Sequence, residues 1–206
     1  MTKPTTFVLV RHGETEGNSS IRYHGVTDVL LSDLGRAQMR ATRAALQQHI
    51  AGDPAPIFAS PLLRAIESAR LLASKTADLT PIEEFREINF GLFEGLTAEE
   101  IRDRHPAEHR RWMQARFAPD FTFPGGENRR EFTARVARGL ERMLALCGDA
   151  TGAYVLLVAH RGVIRTIVNQ LTGAEPLVEL GSIQILQGDS AWRAEHLDLI
   201  DHLRGI

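Results

Sequence analysis

Two apolar runs in this chain end in histidine. Phe7-Val8-Leu9-Val10 leads into Arg11-His12-Gly13, and Tyr154-Val155-Leu156-Leu157-Val158-Ala159 leads into His160-Arg161-Gly162. Neither run has polar alternation, so each reads as a strand buried on both faces. Desolvating a guanidinium beside such a strand is costly unless something anionic meets it, so Arg11 implies an anion. A neutral imidazole is a capable nucleophile, and a phosphohistidine divides one hard displacement into two easier ones. Arginine forks match the oxygens of a phosphoryl group, and their charge disfavours imidazolium. Phosphoryl transfer through His12 is the chemistry this set suits.

Other groups extend the set. Arg64 falls in the first helical turn after a second apolar run, in FASPLLRA; Arg70 is a rival, and the spacing after Ser60-Pro61 favours Arg64. Glu87, in FREINFG, ends an extended segment expected over about residues 84–90. There a carboxyl group can protonate a leaving oxygen and later deprotonate the attacking water. Glu83, Glu84 and Glu94 are rivals, and local physics alone leaves that choice near even. His160 supplies a further hydrogen bond to the transferring group. Charge-assisted bonds contribute about 1.5–3 kcal/mol each, so three or four donors hold phosphate with no metal and no cofactor.

The elements that must gather these groups are legible as a strand–helix alternation. Ser32 can cap a helix with Leu34, Ala37, Ala41, Ala44 and Ala45 on one face. Ile57 to Ser60 reads as a strand, and Ser60-Pro61 as the cap and first-turn proline of a helix to about Lys75. Two short helical stretches follow within residues 97–126, an insertion over one edge of the core. Trp112, Phe117, Phe121 and Phe123 are expected to pack that insertion down. A long helix spans about Glu127 to Cys147, and Val163, Ile164, Ile167, Val168 and Leu171 mark the face of another. Ser182 to Leu186 and Trp192 to Leu197 alternate like a hairpin around Gly188-Asp189. This pattern predicts an α/β fold with a mostly parallel sheet covered on both faces, in one domain over residues 1–206 with a lid at about 97–126. In such sheets ligands lie beyond the carboxyl ends of the strands, where both histidines fall.

The bulk numbers exclude several function classes. In 206 residues, 24 Lys and Arg against 26 Asp and Glu give a net charge of −2. No broad basic surface argues for nucleic acid or anionic membrane. The single cysteine, Cys147, excludes an internal disulfide and a cysteine zinc cluster, and its helical register makes it core-facing. No apolar run approaches the ~20 residues that span a bilayer. The first apolar run stops at Arg11, too early for a secretory signal, so a cytoplasmic location is expected. His105 and His109 share a helix face but lack a third ligand, and Gly125-Gly126 is too short for a nucleotide loop.

The chain resembles the histidine phosphatase superfamily, or phosphoglycerate mutase-like family. The resemblance runs from about Phe7 to Leu171, on VLVRHGETEGN, RYHGVTDVLLSDLGRAQ, ASPLLRAIESA, FREINFGLFEGLT, FPGGEN and VAHRGVIR in the family's order. It implies an α/β/α sandwich and metal-independent chemistry. His12 becomes the phosphorylated nucleophile and Glu87 the proton donor and acceptor, while Arg11, Arg64 and His160 form the phosphate pocket. Asn18 matches a position contacting the phosphoryl group, and His24 and Gly25 a turn on the substrate side. Four positions depart from the pattern: Gly17 stands where many relatives carry tryptophan, Ala159 for serine or threonine, Arg161 for glycine and Asn128 for serine. Arg161 is read either as an added substrate contact or as an outward side chain.

Three functions fit. The favoured one is a phosphomonoesterase acting on a small phosphorylated metabolite. A phosphoglycerate mutase-type isomerase would use the same residues but carries a longer insertion before the second histidine. A low-turnover phospholigand-binding protein needs neither Glu87 nor an attackable His12. The expected partner is a small-molecule phosphate ester; a homodimer is compatible with the sequence, which does not fix the oligomeric state.

Overall fold

The computed structural model describes residues 5–73, 78–115, 118–148, 153–188 and 190–206. In chain order the elements are β1 (Thr5–Arg11), α1 (Asp33–His49), β2 (Pro54–Ala59), α2 (Leu63–Leu72), β3 (Leu79–Pro81), α3 (Ala98–Arg104), α4 (Pro106–Gln114), α5 (Arg129–Cys147), β4 (Tyr154–Ala159), α6 (Arg161–Thr172), β5 (Ile183–Gly188) and β6 (Trp192–Leu199). The strands form one sheet in the order β3-β2-β4-β1-β5-β6. β3, β2, β4 and β1 are parallel, and β5 and β6 close the far side antiparallel.

Alternate residues of the central strands face two cores. Val8, Val10, Ile57, Leu156 and Val158 pack with Met39, Leu46, Ala65 and Leu72 of α1 and α2. Phe7, Leu9, Val155 and Leu157 pack with Val136 and Met143 of α5 and Val163 and Ile167 of α6. The result is the three-layer α/β/α sandwich, with β4 buried at all six positions. Ile101 of α3, Trp112 of α4 and Phe123 belong to the second of these cores, so the 97–126 segment shares the main hydrophobic interior. Phe117 and Lys75 lie outside the described residues, as does Asp189 at the hairpin tip.

Several boundaries differ from expectation for identifiable reasons. α1 has its Ser32 cap, with Ser32 Oγ accepting from Gly35 N at 3.1 Å. Its buried face, however, is Gly35, Met39, Thr42, Ala45 and Leu46, and Leu34 is exposed. Alanines read equally well on either face; the Thr42 hydroxyl, donating to the Gln38 and Gly181 carbonyls, turns the helix. α2 begins at Leu63 rather than at Pro61. Residues 84–90 are not extended: Glu83–Phe85 is a 3-10 turn followed by irregular backbone. β5 is buried at its first four positions instead of alternating: Ile183 and Ile185 enter one core, Leu186 the other, and Gln184 is buried in hydrogen bonds to Ser182 and Asp198. Cys147 is half-buried, and burial pushes its thiol up to about 11.

Candidate active site

Parallel pairing brings three strand ends to one edge. Arg11 is in register with Ala159, and Ala59 with Val158. His12 N donates to the Ala159 carbonyl at 3.1 Å, and Ser60 N to the Val158 carbonyl at 3.0 Å. The residues following β1, β4 and β2, namely His12, His160 and Ser60, therefore stand side by side. The two imidazoles meet edge-on with centroids 5.1 Å apart, and both are buried.

His12 is held in one tautomer. Its Nδ1 lies 2.7 Å from the Gly13 carbonyl, an acceptor only, so Nδ1 carries the proton. Nε2 is left with its lone pair, facing Arg64 Nε at 3.3 Å. Burial, with Arg64 and Arg11 next in weight, drives the His12 pKa well below the usual histidine range. His160 is neutral for the same leading cause, burial, reinforced by Arg64 and His12. Its Nε2 lies 2.7 Å from Ser60 Oγ, and its buried Nδ1 has no hydrogen-bond partner. Ser60 thus orients His160 rather than capping α2.

Arg64, not exposed Arg70, is the buried arginine of α2. It does not line the cavity. Besides His12 it donates to the Thr27, His24 and Gly25 carbonyls at 2.8, 3.1 and 2.7 Å. It binds the 24–27 turn to His12, and desolvation lowers its pKa to about 10. Glu94 holds the same turn from outside, accepting from Gly25, Val26 and Thr27 N and from Thr27 Oγ1 at 2.6 Å. Glu83 pairs with Arg86 and Glu84 with Arg142, whereas Glu87 shares the cavity wall with His12.

The cavity has a volume of about 220 Å³, and its wall includes Arg11, His12, His24, Glu87 and Arg161 together with Ser19, Ser20, Arg22, Tyr23 and Phe90. Glu87 accepts from Ile88 N and, at 3.0 Å, from Gly162 N in the first turn of α6. A Cβ on Gly162 would come within 2.4 Å of Glu87 Oε1, so glycine there lets the helix end meet the carboxylate. Arg11 Nη1 donates to the Val178 carbonyl at 3.1 Å, while its buried Nε has no partner. Burial, then the neighbouring Arg161, lowers the Arg11 pKa to about 10. Arg161 faces the cavity, its Nε on the same Val178 carbonyl at 3.2 Å.

Two expected contacts take other positions. Asn18 is exposed in a left-handed turn (φ 58°) and stands outside the wall; Ser19 and Ser20 occupy it instead. Gly25 is buried behind the wall as an acceptor for Arg64. The Gly17 departure has a partner: a Cβ there would meet His24 Cε1 at 2.2 Å, so the missing side chain makes room for the imidazole. Asn128 keeps its capping function, accepting from Arg130 N at 2.8 Å. Arg110 and Arg111 are exposed, and Arg111 pairs with Glu108 at 2.9 Å. Among the described residues, no group of three or more His, Cys, Asp or Glu is placed to hold a metal ion, and no helix is long and apolar enough to cross a membrane.

The sequence model of the Histidine phosphatase superfamily (branch 1) matches residues 7–189. The chain belongs to that superfamily. It is 37% identical over 158 residues to the bifunctional protein Rv2228c of Mycobacterium tuberculosis, a match covering 76% of this chain and 41% of that protein. The chain thus spans well under half the length of that mycobacterial relative. It is 33% identical over 172 residues to the glucosyl-3-phosphoglycerate phosphatase of Mycolicibacterium vanbaalenii, covering 81% of this chain and 73% of that one. The crystal structure of the α-ribazole phosphatase from Shigella flexneri superposes with a TM-score of 0.79 at 23% identity, over 94% of this chain and 96% of that one. At that identity the likeness is one of fold.

Proposed function

We propose that this chain is a metal-independent phosphomonoesterase that passes a phosphoryl group from a small phosphate ester to His12 and then to water. The observation that carries the reading is the state of His12: neutral, with Nδ1–H given to Gly13, an unprotonated Nε2 that accepts from Arg64 Nε, and the Arg11 charge nearby. Nε2 attacks phosphorus, and the phosphorus–ester oxygen bond breaks as Glu87 gives a proton to the departing alkoxide. In the second half Glu87 takes a proton from water, the resulting hydroxide attacks phosphorus, and the phosphorus–nitrogen bond returns its electron pair to Nε2. Arg11 Nε and His160 Nδ1, buried with no protein partner, suit the charge that builds on the phosphoryl oxygens. In a desolvated site such donors act without reorganising.

The phosphatase character of the 33% identical relative supports hydrolysis over isomerisation. The cavity suits a small metabolite ester rather than nucleic acid or a membrane surface, and Phe90, Tyr23 and Ala98 of the α3 start shape its outer wall. In this reading residues 97–126 form the lid of a single domain and set substrate choice.

Rapid quenching during turnover of a ³²P-labelled aryl phosphate is expected to leave acid-labile label on the wild-type chain and none on His12→Ala. Glu87→Gln should slow hydrolysis of an alkyl ester by about 10²–10⁴-fold, the scale of a lost proton transfer, and a nitrophenyl ester far less. Label on the alanine variant, or equal losses for both esters, contradicts the assignment.

A further inference from the structure

Arg11 and Arg161 come from different strand ends yet rest on one acceptor, the Val178 carbonyl. Val178 is fully buried and has φ +56°, a backbone region that β-branched residues rarely adopt. Something must hold it there. The Asp198 carboxylate, from the antiparallel strand β6, accepts from Val178 N through Oδ1 and from Leu177 N through Oδ2, both at 2.8 Å. Gln184 of β5 completes the support. Its Oε1 accepts from Asp198 N at 2.7 Å, and its Nε2 donates to Asp198 Oδ1 at 3.2 Å. Asp198 itself has φ +55° and stands where the β5–β6 register shifts between the Ile183 and Ile185 pairs. That irregularity aims the carboxylate off the sheet at the 177–178 turn.

We propose that Asp198 is a positioning residue of the phosphoryl site: by fixing the left-handed turn at Val178 it sets the carbonyl that aligns Arg11 and Arg161 in the cavity wall. The inference rests on the phosphatase reading for its catalytic consequence and on the hydrogen bonds alone for its geometry. Asp198 touches no reacting atom, so its effect passes entirely through the shape of the turn.

That distinction supplies the test. Displacing a reacting group by about 1 Å costs roughly 10²-fold, so Asp198→Ala should lose about 10–100-fold in kcat/KM for nitrophenyl phosphate and weaken inorganic phosphate binding measured by calorimetry. Glycine adopts φ +56° without Cβ strain, so adding Val178→Gly to Asp198→Ala should recover most of both losses. A generalised loss of packing would be deepened by that second change instead. Asp198→Asn, of the same shape, is measured alongside so that a poorly folding alanine variant does not decide the matter. The inference is overturned if folded Asp198 variants bind phosphate and turn over like wild type, or if Val178→Gly gives no recovery. A wild-type chain that neither binds phosphate nor hydrolyses any ester overturns the functional reading instead.

Discussion

At the scale of single residues, the site depends on side chains whose hydrogen bonds are already assigned before any substrate arrives. His12 gives its Nδ1–H to the Gly13 carbonyl and keeps Nε2 unprotonated, where it accepts from Arg64 Nε. Arg64 has its donors committed to His12 and the 24–27 turn, which makes it a brace for His12 rather than part of the cavity wall. Glu87 is fixed by two backbone N–H groups, one at the positive end of α6, where negative charge is favoured. Gly162→Ala should therefore act like a partial loss of Glu87. The new methyl group displaces the carboxylate, and turnover of an alkyl ester should fall by about 10²-fold, while phosphoenzyme still forms from nitrophenyl phosphate. Steady-state rates for the two esters check this, and unchanged alkyl-ester turnover contradicts it.

At the scale of elements, legibility in the sequence followed how directly a pattern is tied to packing. β1 and β4 were readable because unbroken apolar runs have little alternative to a buried strand, and their terminal histidines came with them. The α6 face was readable from Val163, Ile164, Ile167 and Val168, all fully buried. The α1 face was not, because alanine is ambivalent and the deciding contact is a Thr42 hydroxyl on a carbonyl far along the chain. The contacts that Ser60, Glu94, Gln184, Val178 and Asp198 make left no local signal, since each partner is brought near only by the tertiary fold. Glu87 was chosen through the resemblance; its contact with Gly162 N, from far along the chain, had no local signal either. α5 offers a prediction at this scale. Asn128 caps it and also donates to the Asp120 carbonyl and Thr122 Oγ1 at 2.9 and 2.8 Å. Asn128→Ala should cost about 1 kcal/mol or somewhat more, read as a lowered urea midpoint, with no effect on phosphoenzyme formation.

At the scale of the whole molecule, two buried neutral histidines couple stability to pH. In the unfolded chain His12 and His160 titrate near 6.5, whereas the folded values lie well below. Above pH 6.5 both states are neutral and these groups contribute no pH dependence. Below it the unfolded chain takes up protons that the native site refuses, so stability falls as pH drops, by up to about 1.4 kcal/mol per pH unit for each histidine until the folded pKa is reached. His24 and His202 are shifted the same way. Urea midpoints measured from pH 8 to 5 should decline below about 6.5, and His160→Gln should flatten that slope; a midpoint rising on acidification contradicts the buried neutral pair.

The sheet order has a consequence for biosynthesis. Phe7 pairs with Val155, so β1 leaves the ribosome about 150 residues before it gains that neighbour. His12 is thus translated well before His160, whose ring it meets only in the folded sheet. A polypeptide halted before β4 lacks both His160 and the parallel neighbour that places His12.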